Sequence, residues 1–201
     1  MIYLMRHGEI QKRGQQDLVG QIDLPLSDAG LRQAHAWSVA LQSTQFERIC
    51  CSDLQRTRRM AEIVAGNRNQ AIDKVPQLRE INLGAWDGIS LHDLHARFPG
   101  EWDKRGADVA GYRPPGGESF ADLQARVVPV FLEIAGQAHS DVLIVAHAGV
   151  IRVIICHILD VPLSNLFRIG QDYAGLNMIK PQGDSFLLVA MNLPVPANGM
   201  P

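Results

Sequence analysis

The chain has 201 residues, enough for one large domain or two small ones, with 46% hydrophobic and 20% charged residues, an ordinary globular profile. Its 19 Lys+Arg against 21 Asp+Glu give a formal net charge of -2, which argues against nucleic-acid binding through a general basic surface but leaves room for a small basic pocket. No stretch approaches the roughly 18 apolar residues of a membrane span. The apolar start at residues 1–5 is cut short by Arg6, too early for a secretory leader. Cys50, Cys51 and Cys156 lie in apolar contexts and read as buried thiols rather than a disulfide framework. A reducing cytoplasm is the expected compartment.

Residues 2–5 read as a short buried strand, followed by a polar loop over 8–25. Ser27 is placed to cap a helix over 28–42, with Leu31, Ala34, Trp37 and Leu41 on one face. A second strand over 48–51 leads into a helix reaching residue 64, opened by a capping box at Ser52-x-x-Gln55 and ended by Gly66 and Asn67. Residues 71–75 suggest a third, shorter strand. The stretch 80–117 is irregular, with Pro99, Pro114, Pro115 and glycines from Gly84 to Gly117, and carries one short helix near 91–97. Long irregular stretches in compact domains are usually functional or mobile. Ser119 caps a long helix to about residue 135, in which Pro129 predicts a kink. Residues 141–146 give the strongest strand signal and a helix follows over 149–159. Strands near 178–179 and 186–190 form a closing pair, and the Pro-rich end from Asn192 reads as frayed. Alternating strands and helices predict an α/β fold. We expect one three-layer α/β/α domain over 1–192, with a largely parallel central sheet, a cap-like segment at 81–118 and a tail over 193–201.

Ligands in open α/β sheets bind beyond the carboxyl ends of the strands. The first strand is followed by Arg6-His7-Gly8-Glu9, the second by Ser52 with Arg56 one turn on, and the strongest by His147-Ala148-Gly149. Parallel, adjacent strands would gather two arginines and two histidines at one sheet edge. Guanidinium forks match phosphate oxygens, and helix N-termini add N–H donors. Gly8 and Gly149 lack a Cβ, so a ligand could approach the backbone there. An imidazole kept neutral by neighbouring arginines is a nucleophile suited to phosphorus.

Leu4-Met5-Arg6-His7-Gly8-Glu9 resembles the signature of the histidine phosphatase superfamily, which includes the cofactor-dependent phosphoglycerate mutases. Four further blocks follow in the family's order. They are Gly20-x-x-Asp23-x-Pro25-Leu26-Ser27-x-x-Gly30, Cys51-Ser52-Asp53-Leu54-Gln55-Arg56-Thr57, Leu78-Arg79-Glu80 through Gly84-Ala85-Trp86-Asp87-Gly88, and the pair Pro115-Gly116-Gly117-Glu118-Ser119 and Val145-Ala146-His147-Ala148-Gly149-Val150-Ile151-Arg152. The resemblance implies a phosphoglycerate mutase-like fold with His7 as the phosphorylated nucleophile. Arg6, Arg56 and His147 would hold the phosphoryl oxygens, and Glu80 would be the general acid. Gly20, Gln21 and the backbone at Ala148 would line the pocket. Such enzymes need no metal or other cofactor, and the implied partner is a small phosphorylated metabolite, with a homodimer left open.

The chain departs from the family where Ile10 and Arg13 replace the usual Thr or Ser and Asn, and where Ala148 replaces Gly. Arg13 stays a candidate binding residue by its position. Leu83 stands where mutases carry Tyr, and no Arg-Arg pair occurs between Glu80 and Gly117. These losses favour a phosphatase over a mutase, and the Gly-Ala-Trp-Asp-Gly and Pro-Gly-Gly-Glu-Ser segments most resemble α-ribazole-5'-phosphate phosphatases.

Blander readings stand beside each residue. Arg6 and His7 could be a strand-end ion pair and cap, His147 a core histidine, Arg56 a partner of Asp53, and Glu80 a partner of Arg79. Arg58, Arg59, His92 and His95 read as surface residues. Trp86 and Trp102 read as packing, with platforms for a substrate ring as the other reading. A phosphoglycerate mutase, a non-catalytic anion-binding module and a metal hydrolase built on His7, Glu9 and His147 are the competing functions. No His-x-x-x-His pattern supports the last.

Overall fold

The computed structural model describes residues 1–11, 18–66, 68 and 70–197. Arg13, Asn67 and the last residues of the expected tail lie outside the described residues. The elements run β1 (Ile2–Arg6), α1 (Asp28–Ala40), β2 (Phe46–Cys51), α2 (Gln55–Ala65), β3 (Ile72–Lys74), α3 (Leu91–Arg97), α4 (Glu101–Ala107), α5 (Phe120–Gln137), β4 (Asp141–Ala146), α6 (Ala148–Ile158), β5 (Leu176–Gln182) and β6 (Ser185–Leu193). The six strands form one sheet in the order β3-β2-β4-β1-β5-β6. β3, β2, β4 and β1 are mutually parallel, and β5 runs antiparallel to both β1 and β6.

The period-2 geometry of a strand sorts its side chains between two cores. On β4, Val142, Ile144 and Ala146 face the core shared with α5 and α6, whereas Leu143 and Val145 face the core shared with α1 and α2. Cys50 and Cys51 divide in the same way, and all three cysteines are free and buried. Burial pushes the Cys50 thiol up to about 11 and the Cys51 thiol to about 12, so both stay protonated. Among the described residues no helix is long and apolar enough to cross a membrane.

Several local expectations change. Ser27 caps α1 through Gly30 N, and Ser119 and Asp122 form a reciprocal capping box on α5, which continues through Pro129 as one helix. Ser52 makes no such box: the cap of α2 is Leu54, without a side-chain bond. The Ser52 hydroxyl serves His147 instead, as described below. α4 is an additional helix, hidden in the sequence by Gly100 at its cap and Gly106 inside it. β6 extends through Asn192 and Leu193, where fraying was expected. Asn192 N donates to Asn177 Oδ1 at 2.9 Å, and its side chain donates to Asp172, which fastens the strand end. Val195 beyond it packs against the α1/α2 core.

Residues 81–118 contribute an aromatic cluster. Trp86 is fully buried and stacks on Tyr112 at 5.4 Å between ring centroids, with Phe98 and Trp102 beside it. Trp86 thus packs within this cluster, while it also lines a cavity of about 260 Å³.

Candidate active site

β1 and β4 pair in parallel with Arg6 opposite Ala146, so His7 and His147 leave the sheet side by side. Their ring centroids are 5.1 Å apart. β2, on the far side of β4, delivers Ser52 and then Arg56 at the start of α2. The strand ends thus gather Arg6, His7, Arg56 and His147, and the segment after β3 adds Glu80.

His7 is almost completely buried, and its Nδ1–H donates to its neighbour's carbonyl, Gly8 O, at 2.7 Å. A carbonyl can only accept, which places the proton of the neutral ring on Nδ1 and leaves Nε2 with a lone pair. Burial, then the charges of Arg56 and Arg6, hold the imidazole well below its usual range, so it is neutral. His147 is also buried and neutral, for the same leading reason. Its Nδ1 accepts from Arg56 Nε at 3.3 Å, so its Nε2–H donates to Ser52 Oγ at 2.8 Å. Ser52 passes the chain on to Thr57 Oγ1 at 2.7 Å, which donates to Leu54 O.

Arg56 is 1% exposed and does not pair with Asp53. Its Nη1 and Nη2 donate to Ile22 O and Gly20 O at 2.7 and 2.6 Å. That loop is fastened in turn by Asp87, whose carboxylate accepts from the N–H groups of Gly20, Gln21 and Ile22 at 2.7–2.9 Å. Arg6 lies over the Tyr173 ring at 3.9 Å and donates from Nη1 to Gln171 O, while its buried Nε finds no acceptor among the described residues. Arg79 takes Asp53 in a two-point pair, so Glu80 is left to the site. The Glu80 carboxylate accepts from Ile81 N and, at the start of α6, from Gly149 N at 3.1 Å. Arg126 holds the backbone beneath it, donating to the carbonyls of Gln77, Arg79 and Glu80 while paired with Glu118.

The two glycines carry a different meaning from the one expected. A Cβ on Gly8 would strike Gly30 O at 2.7 Å, so this glycine lets the segment after β1 lie against the start of α1. A Cβ on Gly149 would collide with Glu80 Oε1, so this glycine makes room for the carboxylate. Arg6, His7, Arg56 and Glu80 line a cavity of about 120 Å³ together with Ile10, Val19 and Tyr173. Gly20 and Gln21 do not line it: Gly20 O holds Arg56, and the Gln21 amide donates to Glu80 O. Ala148 lines an adjoining cavity. His92 and His95 are exposed on α3. Among the described residues no group of three or more His, Cys, Asp or Glu side chains could hold a metal. Arg126 and Tyr173 escaped the sequence reading, and Ser52 and Asp87 were named there without a role in the site. Asp87 and Ser52 stand inside recognisable blocks, but nothing in the sequence says what they touch.

The model of the histidine phosphatase superfamily (branch 1) matches residues 2–194. The chain belongs to that superfamily. Relatives of this superfamily member include glucosyl-3-phosphoglycerate phosphatase of Mycolicibacterium vanbaalenii, 33% identical over 175 residues, covering 82% of this chain and 76% of the relative. The 6-phosphofructo-2-kinase/fructose-2,6-bisphosphatase of Caenorhabditis elegans is 32% identical over 167 residues, 82% of this chain, which spans only 35% of that longer protein. Adenosylcobalamin/alpha-ribazole phosphatase of Salmonella typhimurium is 30% identical, covering 85% of this chain and 86% of the relative. Among solved structures, the alpha-ribazole phosphatase of Shigella flexneri superposes with a TM-score of 0.89 at 25% identity over 96% of both chains. The mycobacterial glucosyl-3-phosphoglycerate phosphatase complex with VO3 superposes at 0.85 and 27% identity, over 96% of this chain and 98% of that one.

Proposed function

We propose that the protein is a metal-independent phosphomonoesterase working through a phosphohistidine at His7. The observation that carries this reading is the Nδ1–H bond to Gly8 O, which leaves Nε2 of a neutral ring unprotonated in a cavity shared with Arg6, Arg56 and Glu80. His7 Nε2 attacks phosphorus and the P–O bond to the alcohol breaks. Glu80 gives its proton to the leaving oxygen. Water then attacks phosphorus, Glu80 takes a proton back, and breakage of the P–N bond releases phosphate and restores neutral His7. The unpartnered Arg6 Nε and the neighbouring Arg56 charge favour the anionic transition state, the service a metal gives in other phosphatases.

The substrate is a small phosphorylated metabolite, and α-ribazole 5'-phosphate is the named candidate, supported by relatives that carry that name. Leu83 on the cavity wall supports hydrolysis over phosphoglycerate isomerisation. Three buried, protonated thiols suit a reducing cytoplasm. The test is turnover after exhaustive chelation. Phosphate release from alkyl phosphates should persist unchanged, and with 3-phosphoglycerate it should outpace isomerisation even with bisphosphoglycerate added. Activity that returns only with Mg²⁺ or Zn²⁺, or fast bisphosphate-dependent isomerisation, overturns the reading.

A further inference from the structure

Three cavities lie in a row from the phosphoryl site outward. The first, of about 120 Å³, shares Arg6, Val19 and Glu80 with a second of about 260 Å³. The second shares Leu18, Trp102, Arg105 and Phe167 with a third of about 460 Å³, to which Gly106 and Val109 are added. The described lining of the outermost cavity is thus mostly apolar, with Trp102 and Gly106 from α4, Phe167 from the 3-10 turn Leu163–Arg168, and Leu18 and Val109 from the connecting segments. Phe167 remains 49% exposed there, an aromatic ring that the fold leaves uncovered.

Among the described residues Arg105 is the single charged group of that wall. Its guanidinium lies 5.1 Å from the Trp102 ring centroid, 5.5 Å from Phe120 and 5.2 Å from Phe167. Among the described residues it makes no ion pair and no hydrogen bond. Arg6, by contrast, sits in close stacking contact over Tyr173 at 3.9 Å. At these separations no ring fits between the guanidinium and its neighbours, so the space for a further flat group is the adjoining cavity of about 460 Å³ that Trp102, Arg105 and Phe167 line. Guanidinium planes and aromatic rings stack favourably, more so out of water.

We infer that this outer cavity is a subsite for a flat aromatic or heteroaromatic ring carried by the leaving alcohol, seated in the cavity against the wall that Trp102, Phe167 and Arg105 form. The inference rests on the phosphatase reading above and narrows its substrate class. The ester bond sits at Glu80, a spacer of sugar or short-chain size crosses the middle cavity, and the ring ends in the apolar one. A leaving group as short as glycerol or glycerate would leave the outer cavity unfilled.

The test compares n-propyl phosphate with 3-phenylpropyl phosphate. Both expel an unactivated primary alcohol, so the ratio of their kcat/KM values reads ring binding and not leaving-group chemistry. The protein should favour the phenyl ester by tenfold or more, chiefly through KM. Gly106→Leu should fill the cavity, since a Cβ there meets nothing within 4 Å and a helix interior gains from losing glycine. It should bring the ratio below threefold, and Trp102→Ala should do so by removing one wall. A ratio within twofold for the unaltered protein, or one that neither variant moves, overturns the subsite. So does a larger gain from a carboxylate, read as 3-phosphoglycerate over glycerol 3-phosphate. Turnover of n-propyl phosphate without ring preference removes the subsite and leaves the phosphatase reading standing. No turnover of either ester removes both.

Discussion

The two ends of the cleft are built in opposite ways. At the phosphoryl end the side chains are fixed by backbone or by another buried side chain, with Arg6 Nε left free among the described residues: His7 by Gly8 O, Arg56 by Gly20 O and Ile22 O, His147 by Ser52, Glu80 by Ile81 N and Gly149 N. At the leaving-group end the described walls are mostly apolar side chains, and among the described residues the one cation, Arg105, lies near three aromatic rings and makes no hydrogen bond or ion pair. Preorganised donors act on charge that develops in every phosphoryl transfer, whereas an apolar wall acts only on a substrate that reaches it. Changes at the first end should therefore affect all esters, and changes at the second should sort them.

The largest effect separates the nucleophile from everything else. His7→Ala should cost at least about a thousandfold in kcat on every phosphomonoester, since removing a member of a catalytic unit disables the whole. Steady-state turnover of alkyl and aryl esters side by side checks this, and a loss confined to one class would break the comparison.

Glu80 sharpens it, because a proton donor matters in proportion to how badly the leaving group needs one. Glu80→Gln keeps the size and loses the transferable proton. On alkyl phosphates kcat should fall by ~10²–10⁴, the usual worth of general acid catalysis. On p-nitrophenyl phosphate, whose nitrophenolate leaves unaided, the fall should be far smaller. Equal losses on both, with phosphorylation as the slow step, would make Glu80 structural.

Asp87 tests whether the loop that holds Arg56 belongs to the phosphoryl end. Asp87→Ala strands three N–H groups and frees Gly20 and Ile22, whose carbonyls anchor Arg56. The Gly20 and Gln21 bonds are part-buried and the Ile22 bond exposed, so stranding them costs at most roughly 1–3 kcal/mol for the most buried group and less for the others, enough to loosen the loop. KM should rise about tenfold for short and ring-bearing esters alike, a factor equal to about 1.4 kcal/mol. A rise for one class alone would assign the loop to the leaving-group end.

The smallest effect is on stability. His7 and His147 are held neutral in the fold by burial, with Arg56 next in importance, so their folded values lie below the unfolded 6.5. The unfolded chain therefore binds more protons as the pH falls. Their contribution is complete above about pH 6.5 and is lost below it, with a slope of up to ~1.4 kcal/mol per pH unit for each histidine. Thermal unfolding should show Tm falling between pH 7.5 and 5.5, less steeply in His7→Ala.

The same division explains what the sequence disclosed. β4 and the residues after it were legible because a five-residue apolar run, Val142–Ala146, followed by His147-Ala148-Gly149 can hardly be anything but a buried strand feeding a helix. Arg6, His7, Arg56 and His147 were legible because parallel strands must end together. Ser52 was misread because a serine before a helix has two uses, and only the fold shows that His147 takes its hydroxyl. Gly8 and Gly149 were read as openings for ligand, whereas each is a close approach between distant parts of the chain. α4 and its cleft stayed hidden since Gly100 and Gly106 weaken the helix signal, and Phe167 reaches the cleft only through tertiary packing.

The covalent intermediate is the claim on which the phosphoryl end stands. Rapid acid-free quenching of the protein with a phosphorus-labelled ester, followed by peptide mapping, tests it most directly. The account predicts a base-stable, acid-labile phosphoryl group on His7, which reaches its steady level within the first turnover and decays when substrate is removed. A protein that turns over the ester with no label on His7, or with label on another residue, would contradict it.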